Sequence, residues 1–185
     1  MIDPLLALII ATMLIAVVAF AFWPGKGIVA QMQSIRKYNK KRMIEDALKY
    51  LYDCEYKNLQ CNLNSLAGNL SIAADDSAAL ITRLENMGLI TLSNGEVQLS
   101  VQGRSYALRV IRVHRLWEKY LADETTTPEV EWHPSAEEKE HTMTLEEANA
   151  LAAQLGNPVF DPHGDPIPSS SGDLPIHKGI LLSNL

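Results

Sequence analysis

The chain has 185 residues, of which 47% are hydrophobic, and a formal net charge of −6 at pH 7. This length suits one compact domain with an appendage, and the acidic balance lacks the overall positive charge usual in nucleic-acid-binding proteins. The charge is unevenly spread, because basic residues crowd residues 26–42 whereas acidic residues dominate after Asp123. A uniformly basic nucleic-acid binder is therefore excluded, but a local basic surface is not.

An uncharged run extends from Leu5 to Trp23, near the start of the sequence. It approaches the roughly 20 residues that a helix needs to cross a bilayer. No positive region precedes it and aromatic residues stand where a signal peptide has small ones, so we predict an uncleaved transmembrane anchor over residues 1–24. A basic juxtamembrane connector, residues 25–42, follows the run. The positive-inside rule then predicts a single-pass protein of the inner (cytoplasmic) membrane, with its C-terminal domain in the cytoplasm.

Residues 43–100 combine helical patterns with one hairpin signal. Apolar spacing and capping residues predict three helices: Glu45–Glu55, 64–69 and Asp75–Asn86. Asn94-Gly95 between two short apolar runs is the strongest short-range signal of a hairpin, and Ser100 can cap a long helix after it. This order is that of a winged helix-turn-helix, in which residues 78–86 lie on the element that enters the major groove.

The start of this predicted recognition helix is acidic. Asp75 and Asp76 would repel phosphates if they faced DNA, whereas a recognition helix needs side chains that bind base edges and phosphates. The alternative is that both residues cap the helix, where the helix dipole favours carboxylates whatever the function. The remaining polar or basic candidates for DNA contact in the winged region are Ser77, Thr82, Arg83 and Asn94.

Histidine and glutamate recur at helical spacing after Val113. These side chains are His114, Glu118, His133, Glu137, Glu140 and His141. Residues three and four apart share a helix face, so Glu137, Glu140 and His141 are expected to point the same way. Imidazole nitrogen and carboxylate oxygen suit Mn²⁺, Fe²⁺, Co²⁺ and Zn²⁺, and two such faces can close a site between helices. A solvated helix face without metal is the alternative.

Three stretches carry a resemblance to a known family. They are Ile44-Glu45-Asp46 with Leu48, Leu51 and Tyr52; Leu99–Gly103 leading into Val110–Glu118; and Glu137-x-x-Glu140-His141 with Asp161–Pro168 downstream. Together they resemble the diphtheria toxin repressor family of iron- and manganese-dependent winged-helix regulators. The resemblance implies a mainly α fold: a winged helix-turn-helix (43–100), an all-helical metal-binding and dimerisation domain (101–168) and a flexible tail (169–185), here preceded by one transmembrane helix.

The resemblance also implies the metal ligands. The principal site would consist of Asp46, Glu137, Glu140 and His141, and a second site would be formed or bridged by His114, Glu118 and His133. Asp46 and Glu137 stand where the iron branch has Met and Cys, and oxygen in place of sulfur favours Mn²⁺, with Fe²⁺ second and Zn²⁺ or Co²⁺ expected in vitro. Lys49 stands where the manganese branch has a Glu ligand, which leaves the number of metals open.

The predicted function is a membrane-anchored, homodimeric, Mn²⁺- or Fe²⁺-dependent repressor that binds double-stranded DNA and controls metal homeostasis. The alternative is a metal-sensing module that does not bind DNA and instead acts on a membrane metal transporter. The sequence contains no nucleophile elbow, phosphate loop or Ser/His/Asp arrangement, so no enzyme is predicted.

Overall fold

A computed structural model describes residues 5, 8, 10, 12–14 and 28–175 of the chain. The chain divides into two units, Met1–Arg42 and Met43–Leu185. Helix α1, Ile28–Tyr56, contributes residues to both units. The hydrophobic cores and the candidate site described below lie in the second unit.

The predicted transmembrane anchor needs correction. Among the described residues, no helix is both long enough and apolar enough to cross a membrane. Most of residues 1–24, including Trp23, lie outside the described residues, and Leu5 is helical and exposed. The length of an uncharged run is a necessary feature of a span, but it does not by itself establish one. The predicted single-pass localisation in the inner membrane is therefore wrong.

The first part of the second unit has the predicted helix order. Helix α2, Leu63–Leu70, is capped by Asn62 rather than by the predicted Asn64-Ser65, and its capping box includes Ser65. Helix α3, Ala74–Asn86, begins after Ala73, which makes no side-chain capping bond. Asp75 and Asp76 lie in the first turn of α3 instead of capping it, where the helix dipole still favours their charge.

The predicted hairpin is present. Strands β1, Ile90–Ser93, and β2, Glu96–Leu99, pair antiparallel, with Ser93 opposite Glu96. Asn94 and Gly95 form the turn with φ of 51° and 81°. Positive φ at both central residues is the conformation that the Asn-Gly pair tolerates best, which explains why the hairpin could be read from the sequence.

Helix α4, Val101–Glu124, connects the two hydrophobic cores. Ser100 caps it by accepting a bond of 3.0 Å from the Gly103 backbone N–H. Ala107, Leu108 and Ile111 pack in the first core, with α1, α2, α3 and the hairpin. A side chain on Gly103 would collide with that packing, because a Cβ there would lie 1.9 Å from the Leu89 carbonyl oxygen.

The second core belongs to a smaller helical part. Helix α5, Glu129–Lys139, packs along α4, and helix α6, Leu145–Gln154, completes the layer. Val113 and Leu116 of α4 meet Ala148 and Leu151 of α6 in this core. Helix α4 contributes side chains to both cores, so packing fixes it along its length. The candidate metal-ligating side chains gather beside this helix.

Candidate metal centre

The candidate ligands come from three helices and one turn. Helix α1 supplies Asp46, α4 supplies His114 and Glu118, and α5 supplies His133 and Glu137. Helix α5 ends at Lys139, so Glu140 and His141 lie in the turn that follows it.

One group, which we call the outer cluster, consists of His114, Glu118 and His133. One ligand atom from each residue lies within 4.8 Å of the others. His114 Nε2 is 3.1 Å from both Glu118 Oε1 and His133 Nδ1. The Glu118 side chain is 4% exposed whereas that of His133 is 65% exposed, so solvent reaches the cluster from the α5 side.

The other group, the inner cluster, consists of Asp46, Glu140 and His141, again with ligand atoms within 4.8 Å of one another. His141 Nε2 lies 3.1 Å from Asp46 Oδ1 and 3.6 Å from Glu140 Oε1. The side chains of Glu140 and His141 are each 1% exposed. The inner cluster therefore joins α1 to the turn after α5 in a nearly dry environment.

Glu45 is a part of the site that sequence reasoning missed. Its Oε2 lies 2.8 Å from His141 Nδ1, and its Oε1 accepts a bond of 2.8 Å from the Tyr106 hydroxyl. A carboxylate on one imidazole nitrogen orients the other nitrogen toward a ligand, which is the usual arrangement behind metal-binding histidines. The only local signal was its position beside Asp46, which does not reveal a contact with His141.

Glu137 does not join the inner cluster with Glu140 and His141, although one helical face was predicted for all three. Its Oε1 lies 3.4 Å from His133 Nε2, and its side chain is 49% exposed. Helical geometry persists to Glu140, whose backbone N–H donates to the Ala136 carbonyl at 2.9 Å. Residues three apart on a helix still differ by about 60° in direction, which separates the buried Glu140 from the half-exposed Glu137.

The carboxylates control the protonation of the buried histidines. Burial alone would lower the pKa of His141, but Asp46 and Glu45 outweigh it and raise that pKa to about 9. Burial likewise disfavours protonated His114, yet hydrogen bonds with Glu118 and Glu140 raise its pKa above the ordinary value. Burial alone would raise the pKa of Glu118, but His114 and His133 outweigh burial, and the pKa lies below its ordinary value. A divalent cation, which binds neutral imidazole, would displace protons here.

Lys49 occupies a central place beside the inner cluster. Its Nζ lies 2.7 Å from Oε1 and 2.9 Å from Oε2 of Glu140. Glu140 Oε2 is also 2.5 Å from His114 Nδ1. Glu140 is therefore shared by Lys49 and by histidines of both clusters.

A cavity of about 530 Å³ opens beside the outer cluster and is lined in part by Lys49, Arg115 and His163. His163 was expected to be a turn residue only, and Asp161 does hold that turn by accepting from its backbone N–H. Its Nε2 nevertheless lies 4.0 Å from Glu118 Oε1, so this side chain faces the cluster.

The predicted DNA contacts divide into exposed and buried residues. Thr82, Arg83 and Asn94 are exposed. Ser77 is fully buried and donates a bond of 3.1 Å to the Leu63 carbonyl, so its hydroxyl serves the packing of α2 against α3. Burial of Ser77 follows from the packing of these two helices against each other, which local sequence does not reveal.

The donor chemistry of both clusters fits a divalent transition metal. The inner cluster offers two carboxylates and one imidazole, a set rich in hard oxygen that suits Mn²⁺ and Fe²⁺. The outer cluster offers two imidazoles and one carboxylate, a more nitrogen-rich set. The two clusters thus differ in the metal they would favour.

Comparison with known proteins agrees with this geometry. Residues 100–169 match the family described as the iron dependent repressor, metal binding and dimerisation domain. The chain is 32% identical over 122 residues to the iron-dependent repressor IdeR of Mycobacterium leprae, which covers 65% of this chain and 53% of that protein. A solved manganese-dependent transcriptional repressor in complex with manganese has a TM-score of 0.67 at 32% identity, covering 73% of this chain and 63% of that one.

A different kind of protein also matches. The chain is 38% identical over 81 residues to a probable metal transport system membrane protein of Chlamydia trachomatis, which covers 44% of this chain and 18% of that protein. The chain spans about half the length of the curated repressor and less than a fifth of the transport protein.

Fold and site together define the class: a winged helix joined to a helical domain, with metal-ligating side chains at the junction. The match of residues 100–169 to the iron dependent repressor metal-binding and dimerisation domain fits this arrangement. The resemblance to the diphtheria toxin repressor family is confirmed. Since this is a family of repressors, the prediction that the chain is not an enzyme is also confirmed.

Proposed function

We propose that this chain is a Mn²⁺- or Fe²⁺-dependent transcriptional repressor that binds double-stranded DNA as a homodimer. One observation carries the proposal: the inner cluster joins Asp46 of the winged region to Glu140 and His141 of the helical region. A metal held there favours the arrangement in which these regions are docked. A ligand that binds one arrangement preferentially shifts the population toward it, and so fixes the spacing of two recognition helices in a dimer.

The proposed ligands follow from the two clusters. Asp46, Glu140 and His141 hold the metal of the inner cluster, while His114, Glu118 and His133 hold that of the outer cluster. Glu137, which lies beside His133, is a peripheral ligand of the outer cluster in this proposal. When bound, the metal supplies positive charge that draws these carboxylates together. The domain limits at residues 43, 100 and 168 stay predictions.

The proposed DNA surface consists of α3 and the hairpin. Thr82 and Arg83 on α3 and Asn94 in the turn are exposed, as contact with a groove and its phosphates requires. Ser77 is left out of this surface because its hydroxyl is buried.

Fluorescence anisotropy of the full chain on DNA from its own upstream region, with and without Mn²⁺, tests the function. We expect binding about tenfold or more tighter with Mn²⁺ at a stated salt concentration, because phosphate contacts depend on salt. Asp46→Asn should lose this response, whereas Asp53→Asn should keep it, since Asp53 is an exposed residue of the same helix that pairs with Lys57. Equal DNA affinity with and without metal would contradict the proposal.

A second candidate is a metal-sensing module that acts on a metal transport protein. The match to a metal transport protein and the exposed carboxylates of Asp75 and Asp76 favour it. The same experiment separates the two functions. Mn²⁺ binding without any metal-dependent binding of DNA would support the sensing module.

A further inference from the structure

The contact between Lys49 and Glu140 places an ammonium group beside the inner cluster. The ammonium of Lys49 is 2.7 and 2.9 Å from the two carboxylate oxygens, so it contacts both of them at once. The Glu140 side chain is 1% exposed and that of Lys49 is 24% exposed, so the carboxylate is buried and the lysine contacts it from a partly exposed position. A buried carboxylate without a partner would be costly, and Lys49 offsets that cost together with His114.

The same contact crosses the junction that a metal would close. Lys49 lies on α1 one turn after Asp46, whereas Glu140 follows α5 and is 91 residues away in sequence. The inner cluster joins these same two elements through Asp46, Glu140 and His141. The ammonium therefore makes, without metal, a link equivalent to the one that the metal would make.

We propose that Lys49 is a built-in cation of the inner cluster, which holds Glu140 and the domain junction when no metal is bound and competes with a divalent metal for the Glu140 carboxylate. This inference rests on the proposed metal sensing and deepens it. The competition follows from charge, because a cation that contacts both oxygens of a ligand repels a second cation that approaches the same carboxylate. The domain link is thus partly formed before metal arrives, and metal strengthens it rather than creating it.

Hydrogen–deuterium exchange of the full chain in EDTA tests the link without any metal. Lys49→Met removes the ammonium but keeps much of the side-chain volume. We expect amide exchange over residues 43–56 to become roughly tenfold faster in this variant, because a hydrogen bond to a charged group is lost. Lys49→Arg keeps the charge and should exchange like the wild type.

The second arm of the experiment is Mn²⁺ titration of the same proteins. Lys49→Met should bind Mn²⁺ roughly tenfold more tightly than the wild type, since the competing charge is gone. Mn²⁺ should also return the exchange of residues 43–56 to the slow rate. Lys57→Met is the matched control, because Lys57 follows the same helix and pairs with the exposed Asp53.

The outcomes separate the two proposals. Unchanged exchange of Lys49→Met in EDTA would overturn the link, and unchanged Mn²⁺ affinity would overturn the competition. Lys49→Gln, which keeps a hydrogen-bond donor without the charge, is measured in parallel and decides the question if the Met variant does not fold. A wild-type chain that binds neither Mn²⁺ nor Fe²⁺ would contradict the proposed function, whereas the exchange measurement in EDTA would still test the link made by Lys49.

Discussion

Glu140 Oε2 lies 2.5 Å from His114 Nδ1, and this contact joins the inner cluster to the outer one. The remaining oxygen of Glu140 lies 3.6 Å from His141 Nε2. One buried carboxylate therefore belongs to the surroundings of both clusters. Protonation or metal binding at one cluster must alter the electrostatic potential at the other cluster, because the protein interior screens charge weakly.

The first prediction compares two glutamates of one segment. Glu140→Gln should weaken Mn²⁺ binding about 10- to 100-fold, because a buried ligand oxygen is replaced by a neutral amide. Glu137→Gln should weaken it only a few-fold, since this residue is half exposed and contacts His133 alone among the cluster residues. Isothermal titration calorimetry measures both. A larger loss for Glu137→Gln would mean that the ligand set implied by the family resemblance, rather than the observed clusters, describes the site.

The second prediction concerns pH without metal. The pKa of His141 is raised to about 9 by Asp46 and Glu45, which outweigh the effect of burial. A histidine whose pKa is raised on folding stabilises the fold fully below its unfolded pKa of about 6.5 and loses that contribution as pH rises through the folded value. The raised pKa of His114 acts in the same direction.

In EDTA the free energy of unfolding should therefore fall by up to about 3 kcal/mol between pH 6.5 and 9.5. Urea unfolding at the two pH values measures the difference. The control is His141→Gln, in which the decrease should shrink to the part that His114 contributes. If the variant and the wild type lost equal stability over this range, His141 would not be the group that titrates.

The third prediction tests the close approach of α4 to the hairpin. Gly103→Ala should destabilise the fold by about 3 kcal/mol, because its Cβ would lie 1.9 Å from the Leu89 carbonyl oxygen. That oxygen cannot move freely, since it accepts a bond from the Ser100 backbone N–H at 3.0 Å.

Gly68→Ala is the matched control for this change. Gly68 lies in α2, and nothing lies within 4 Å of a Cβ placed there. This substitution should stabilise the fold by roughly 0.5–1 kcal/mol, because alanine loses less backbone entropy in a helix. Thermal unfolding of both variants decides the matter, and a harmless Gly103→Ala would show that α4 can shift away from Leu89.

The fourth prediction addresses the acidic start of α3. Replacing both Asp75 and Asp76 by Asn should raise DNA affinity about tenfold at low salt if these exposed carboxylates face phosphates. The change should also cost α3 up to about 1 kcal/mol for each residue, since the helix dipole favours the acids.

A double change of Glu129 and Glu131 to Gln alters charge equally in the first turn of α5. Anisotropy titrations of the two double variants at several salt concentrations separate a local effect from a general one. Equal gains in both would mean that only net charge matters. No gain in either would mean that Asp75 and Asp76 serve the helix alone.

Local features were predictable because they depend on residues within a few positions of one another. Asn94-Gly95 forms the hairpin turn since both residues tolerate positive φ, and Ser100 caps α4 through an N–H three residues away. The candidate metal ligands could likewise be named from the sequence because their residue types are visible there, and their role as ligands stays a prediction. The family resemblance added Asp46, which is far from the other candidate ligands in sequence, to this set.

Only the tertiary structure decided how these side chains divide. Glu140 is buried against Lys49 of α1 whereas Glu137 stays half exposed, and the packing of α3 against α2 buries Ser77. The pairing of Lys49 with Glu140 joins residues 91 positions apart. Spacing along one helix cannot reveal such contacts, because they depend on where another helix packs. The sequence thus determined which chemical groups are present, and packing determined which of those groups contact one another.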